Sequence, residues 1–238
     1  MQPPYIRQLE RKIGPLSIRI VDGEWVRDNY ANYDPPGNQF TNSGQHFQFD
    51  FIKYYELWID EGVKNDELDF IIDNVATQWR CMKAGDSYEK AIDKADKVEQ
   101  KERKRAGDLP PGGKNRGQPT FAFTQAAHEQ YLGALGRMHV WLVHGDVVRK
   151  RDQNYTEGGH DLVYPSYIPH GEIWLDDQIR PSERSFILIH EADERQLMAH
   201  GMKYNQAHQE ASSLEFDARE HPDQVDNILQ SLRSIKKL

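Results

Sequence analysis

A single cysteine, Cys81, stands in 238 residues, which excludes an intramolecular disulfide framework and any cysteine-based zinc finger. A surplus of positive charge is also missing: 30 Lys and Arg face 38 Asp and Glu, a net charge of -8, with a pI near 5.7. Such a surface repels phosphate backbones on average, so nucleic acid is not an expected partner. No apolar run approaches the roughly 20 residues that a membrane span needs, and the mean hydropathy is -0.84. The first residues, Met1 to Glu10, lack the apolar stretch of a signal peptide. These absences predict a cytoplasmic protein with no membrane partner. The length admits one large domain or two small ones.

What the chain does contain is repetition. Ser17 to Arg27 alternates around Asp22-Gly23 and reads as a β-hairpin, and His139 to Arg149 has the same layout, with Gly145 answering Gly23 and Arg149 answering Arg27. A shift of 116 positions sets Glu56-Leu-Trp-Ile-Asp60 on Glu172-Ile-Trp-Leu-Asp176 and holds without a gap to Glu99 and Glu215, with 13 of 44 positions identical. Among them are Glu67/Glu183, Phe70/Phe186, Met82/Met198, Gly85/Gly201, Tyr88/Tyr204, Ala91/Ala207 and Ala95/Ala211, spaced as packing positions of two consecutive helices. Trp58/Trp174, Met82/Met198 and Tyr88/Tyr204 read as core.

The expected fold class is therefore α+β, a tandem duplication of one unit. Each copy runs hairpin, Gly-containing loop, a strand ending in Trp-(Ile/Leu)-Asp, a long helix, a glycine stop and a second helix. Residues 1–100 form the first copy after a short N-terminal arm, 101–122 a linker and 123–238 the second copy. Gln125 to Gly136 reads as a short helix. Pro181 and Ser182 start the long helix of the second copy, Gly201 ends it, and its second helix runs from about Lys203 to Glu220. Ser87 suits the N-cap of the matching helix in the first copy. An insertion around Tyr33 to Gly37 separates the first hairpin from the remainder of its copy. Duplication suggests an intramolecular pseudo-dimer: a monomer with a pseudo-two-fold repeat, or a homodimer.

Chemistry concentrates where the copies differ. His190 and Glu194 lie four apart on the long helix, so they share a face on which both can grip one ion, with Glu191 beside them. The first copy has Asn74, Val75, Gln78 and Ile92 where the second has His190, Glu191, Glu194 and His208. Apolar Val75 and Ile92 imply that these faces point inward. A His-Glu-Glu-His cluster turned inward needs its charge neutralised, and a divalent cation does so.

The stretch His190-Glu191-x-x-Glu194 resembles the active-site helix of the zincin metallopeptidases, His-Glu-x-x-His with a third ligand further on. Glu194 replaces the second histidine. The resemblance, to a small gluzincin-like protein of bacterial or phage type, covers the second half by motif and the first only by repetition. It implies zinc, or another divalent metal, held by His190, Glu194 and His208 with an open position for water, and Glu191 as general base. The substrate would be a peptide or protein. The strand Gly171 to Asp176 would occupy the place of the zincin edge strand, which can bind an extended peptide. His160 is a further candidate ligand and Tyr164 could reach the ion or stabilise an oxyanion. His160 also reads as a loop histidine, because His46 lies near the matching place in the first copy. Glu215, Glu220 and His221 could add a ligand, but spacing selects none of them. The competing reading is a non-catalytic scaffold or phage assembly protein with at most a structural metal, in the host cytoplasm if phage-encoded. A di-metal carboxylate oxidase would need paired Glu-x-x-His motifs, which the chain lacks.

Overall fold

The computed structural model describes residues 5–30, 40–107, 119–152 and 155–234. Their contacts separate into two compact units, one built from residues 5–30, 40–107 and 150–152 and the other from 119–149 and 155–234.

In the first unit, β1 (Ile6–Ile13) and β2 (Leu16–Val21) are followed by α1 (Gly23–Tyr30), β3 (Ser43–Gln45), β4 (Glu56–Asp60), α2 (Asn65–Lys83) and α3 (Tyr88–Ala106). The strands form a sheet of order β1-β2-β4-β3. The β2–β4 pair is parallel, and the outer pairs are antiparallel. The second unit has α4 (Phe121–Ala127), β5 (His128–Leu135), β6 (Met138–Val143), α5 (Gly145–Arg149), β7 (Gly158–His160) and β8 (Glu172–Asp176). After these come α6 (Arg184–Ala199), α7 (Tyr204–Glu220) and α8 (Val225–Ser234). Its sheet, β5-β6-β8-β7, repeats the order and the mix of directions. The register also matches, Ser17 to Val21 lying on Glu56 to Asp60 as His139 to Val143 lie on Glu172 to Asp176. Two mixed four-stranded sheets, each carrying a pair of long helices, make the protein α+β. Among the described residues no helix is long and apolar enough to cross a membrane.

Both faces of each sheet are covered, which explains why β4 and β8 read as Trp-centred apolar runs ending in Asp. In the first unit Leu16, Ile18, Leu57 and Ile59 pack with Ile71, Ile72, Val75 and Trp79 of α2, while Val21, Val26, Phe49 and Trp58 fill the other cluster. The second unit matches this with Val140, Leu142, Ile173 and Leu175 beside Ile187 and Ala192, and with Val143, Val148, Tyr167 and Trp174 in its other cluster.

Several expectations need correction. The hairpin turns at Gly14-Pro15 rather than at Asp22-Gly23, and the supposed N-terminal arm supplies its first strand, β1. Asp22 instead caps α1, its Oδ1 accepting from the Trp25 amide at 3.0 Å, a role for which a short acidic side chain is well suited. Glycine is required at 23 because a Cβ there would collide with the Asp60 carboxylate, and Gly145 stands likewise over Asp176. The helix expected over Gln125 to Gly136 ends at Ala127; pairing with β6 makes the rest a strand, and Gly133, at φ 131°, has a backbone no helix accepts. On the other side of the joint α3 runs past position 100 to Ala106, where Gly107 closes it at φ 75°. Residues 108–118 of the expected linker, and the Tyr33 to Gly37 insertion, lie outside the described residues. The strand Gly171 to Asp176 is not an edge: β8 lies between β6 and β7, and the edge belongs to three-residue β7.

Buried ion pairs tie each helix pair together. Arg103, fully buried, donates to Glu67 at 2.7 Å and Glu99 at 2.9 Å. Arg219 holds Glu183 at 3.1 Å and Glu215 at 2.8 Å. Thus Glu67 and Glu183, expected as packing positions, are the α2 and α6 ends of carboxylate–guanidinium clamps, each with the Arg over a phenylalanine ring, Phe70 or Phe186. Such pairs keep their worth while every lone pair and N–H is matched.

Candidate metal centre

The α6–α7 pair brings the sequence candidates together. The turn after α6, with Gly201 at φ 94°, folds α7 back so that His208 faces His190 and Glu194. His190 Nε2 lies 3.1 Å from His208 Nδ1, His208 Nδ1 lies 2.7 Å from Glu194 Oε2, and His190 Nε2 lies 3.6 Å from the same oxygen. Ligands at about 2.0–2.1 Å around a tetrahedral zinc ion are roughly 3.3 Å apart. The three atoms thus span a triangle of the right size. His190 and Glu194 are buried and His208 is half-buried, so the triangle opens toward solvent on the α7 side.

His160 arrives from β7, fully buried, its Nε2 2.9 Å from Glu194 Oε1. Its Nδ1 accepts the Leu162 amide at 3.2 Å. A neutral ring that accepts at Nδ1 carries its proton on Nε2, so His160 donates to Glu194 and supports that carboxylate rather than presenting a lone pair. It is not a loop histidine, and its counterpart is not His46. β3 pairs Gln45 with Leu57 as β7 pairs His160 with Ile173, so Gln45 holds the matching place. There the Phe47 amide donates to Gln45 Oε1 at 2.7 Å, as the Leu162 amide does to His160.

Glu191, on the next face of α6, lies against β7; a Cβ on Gly158 would fall 3.0 Å from its Cγ and Oε1. Burial pushes its carboxyl up to about 8, opposed by the His190 charge and reinforced by Glu194, Glu215 and Glu157. Glu194 is held well below the carboxylate range against its burial by hydrogen bonds from His160, His190 and His208. His190 is raised well above an ordinary histidine, its burial outweighed by Glu194 and Glu215. Two neighbouring carboxyls on one helix are thereby driven in opposite directions, a separation typical of acid–base sites.

Three neighbours of the site were not selected by the sequence, Glu215 having stood only as one of three candidate ligands that spacing did not separate. Glu215 places its carboxylate 3.0 Å from His190 Nδ1, an ion pair oblique to the ring N–H. Against burial, His190 and Arg219 hold its pKa near 2. A carboxylate behind a ligand histidine fixes the ring and raises its basicity. Tyr204, expected in the core, is 45% exposed and stacks on His208 with ring centroids 5.5 Å apart. Burial and the charges of Glu194 and Glu191 lift its phenol to about 12. Tyr155 is fully buried, and burial together with Asp176 and Glu191 drives its phenol well up. Its hydroxyl has no hydrogen-bond partner among the described residues. Tyr164 packs with Tyr155 and Tyr167 in the core on the other sheet face, stacked on Tyr167 with centroids 5.1 Å apart.

The first unit keeps the clamp and replaces the rest with amides and aliphatic groups. Asn74 donates to Glu99 at 2.7 Å, as His190 faces Glu215, and Gln78 donates to Asn74 at 2.6 Å. Glu99 is pushed up by burial, which Arg103 and Asn74 do not fully offset. Five ionisable positions, His160, His190, Glu191, Glu194 and His208, correspond to Gln45, Asn74, Val75, Gln78 and Ile92. Comparison with known proteins returns nothing to set beside this: no family model, no curated protein and no solved structure matches the chain.

Proposed function

We propose that the second unit is a metal-dependent hydrolase, a zincin-like metallopeptidase that cleaves peptide bonds in a peptide or protein substrate. The observation that carries this reading is the convergence of His190 Nε2, His208 Nδ1 and Glu194 Oε2 at 2.7–3.6 Å. Two imidazoles and a carboxylate make a donor set that zinc accepts. Bound there, zinc would supply a Lewis acid that polarises a carbonyl and lowers the pKa of water toward neutrality. The rest falls to the chain. With the ion's positive charge nearby to bring its raised carboxyl back toward ionisation, Glu191 takes a proton from the attacking water and returns it to the leaving amine. Gly158 leaves the space its carboxylate needs. His160 and Glu215 fix the orientation of Glu194 and His190, and Tyr204 offers a phenol at the open side. An extended substrate would lie along β7, the sheet edge beside α6, rather than along β8.

The matching strand order, register and clamps support a tandem duplication in which the first unit has lost the ionisable set and serves as scaffold or intramolecular pseudo-dimer partner. The acidic composition fits a cytoplasmic setting.

The test is elemental mass spectrometry on untagged protein, with a peptide-cleavage screen. About one zinc per chain is expected, lost in His190→Ala and kept in Glu191→Gln, with cleavage reduced roughly 10²–10⁴-fold in the latter. Zinc that remains in His190→Ala, or none in the wild type after zinc is offered, refutes the assignment. Zinc without cleavage, indifferent to Glu191, would leave a structural metal in a non-catalytic scaffold.

A further inference from the structure

A depression of about 520 Å³ opens in the first unit between the β1–β2 turn, Ile13 to Leu16, and the C-terminal end of α2, Trp79 to Ala84. Its lining is mainly apolar. The corresponding elements of the second unit are covered by a helix. There α8 packs on α6 and β5, Leu229 and Leu232 lie against the cluster that contains Leu135, and the Arg233 carbonyl would be 3.3 Å from a Cβ on Gly136. The cover registers in exposure. Leu135 is 4% exposed, whereas Ile13, at the same point of its own hairpin, is half-buried and bears on the depression.

The helix that makes this cover is amphipathic, with Val225, Ile228, Leu229 and Leu232 at i, i+3, i+4 and i+7. Among the described residues there are two such seats and one such helix. The segment that matches α8 by the 116-position shift, Leu109 to Gln118, lies outside the described residues. The rim has also changed sign. Arg80 and Lys83, both exposed, replace Gln196 and Ala199, and the Lys83 ammonium lies 4.7 Å from the Trp79 ring centroid.

We propose that this groove docks, in trans, an amphipathic helix of a partner protein with leucines spaced as in α8 and acidic residues at the end where α8 carries Arg233. Apolar side chains would fill the space over Leu16 and Trp79, and the acidic end would meet Arg80 and Lys83, the helix-in-groove mode of recognition. Another copy's α8 is the poorer occupant, because it already has a seat and its Arg233 would face like charge. The inference is independent of the metal centre.

Two fluorescein-labelled peptides test it, residues 222–234 as they stand and the same segment with Gln230→Glu and Arg233→Glu, each titrated onto the full chain by fluorescence anisotropy. The acidic peptide binds saturably and at least tenfold more tightly than the natural one. Arg80→Glu with Lys83→Glu reverses that preference. Ala84→Trp, an exposed position whose larger side chain fills the groove, weakens the acidic peptide at least tenfold while circular dichroism stays unchanged. The proposal is overturned if the acidic peptide fails to saturate, or if it is indifferent to both variants. It is also overturned if the natural peptide binds more tightly, which would assign the groove to a second copy of the chain.

Discussion

Glu194→Gln is the most informative single perturbation, because it installs in the second unit the residue that the first carries as Gln78. Glu194 is 3% exposed and faces three histidines, His160 at 2.9 Å, His208 at 2.7 Å and His190 at 3.6 Å. Structural zinc sites bind with about 10–16 kcal/mol shared by four ligands, so one ligand is worth about 3 kcal/mol, roughly a hundredfold in Kd. Glutamine keeps one acceptor oxygen but no charge, and a charge-assisted hydrogen bond contributes about 1.5–3 kcal/mol, so the metal-free protein should also lose about 2 kcal/mol. Zinc affinity is measured at pH 7.5 by competition with a chromophoric chelator, and stability by denaturant titration in excess chelator. Gln78→Glu in the same chain serves as control. Its neighbours are Asn74 and Ile92, so it should bring no gain in zinc binding. Zinc affinity within threefold of wild type in Glu194→Gln would refute the ligand assignment and the reasoning built on it.

Two further outcomes arise from charge and from shape. Glu215, held near pH 2 against an ordinary 4.5, stabilises the metal-free fold above about pH 4.5, and that contribution, about 3 kcal/mol, is lost as pH falls through 4.5 toward 2. Glu191 runs the other way: its carboxyl, raised to about 8, makes the metal-free fold lose stability as pH rises from 4.5 to 8. Denaturant midpoints of chelated protein at pH 3, 5 and 8 should therefore lose the acid limb in Glu215→Gln and the alkaline limb in Glu191→Gln, and superimposable profiles would contradict both assignments. Gly145→Ala drives a Cβ into the Asp176 carboxylate that Arg149 holds and should cost about 3 kcal/mol. A loss below about 0.5 kcal/mol in equilibrium unfolding would mean that the strand end yields where the structure holds it rigid.

The repeat was legible because burial fixes residue type. Trp58 and Trp174, Ala91 and Ala207, and Ala95 and Ala211 are all buried at identical spacing, so packing preserved the register that carried the comparison. The α6 face was legible for the opposite reason, since Val75 and Ile92 marked the inward side that Glu191 and His208 share. Local ambiguity hid the rest. Asp22-Gly23 suits a hairpin turn and a helix N-terminus equally, and only the strand pairing of β1 decides between them. β7 is three residues long, too short to show alternation, and His46 stands one position past the place that matches His160, although the 115-position shift that sets Gly44 on Gly159 pairs His160 with Gln45. The clamp arginines, Arg103 and Arg219, stand four residues beyond the aligned segment, behind three positions at which the copies differ. Glu215 could be picked out only by its distance to His190.

The clamp in the first unit bears on the proposed loss of such a centre. Glu67, Arg103 and Glu99 stay paired beneath Asn74, whose amide takes over the contact to Glu99 that the imidazole makes to Glu215. On that proposal, giving up the ionisable set leaves the helix pair tied by the same clamp. Run backward, the same economy makes the first unit a prepared receptacle. Five side chains, at Gln45, Asn74, Val75, Gln78 and Ile92, separate it from its neighbour's inventory on a backbone already bent to receive them.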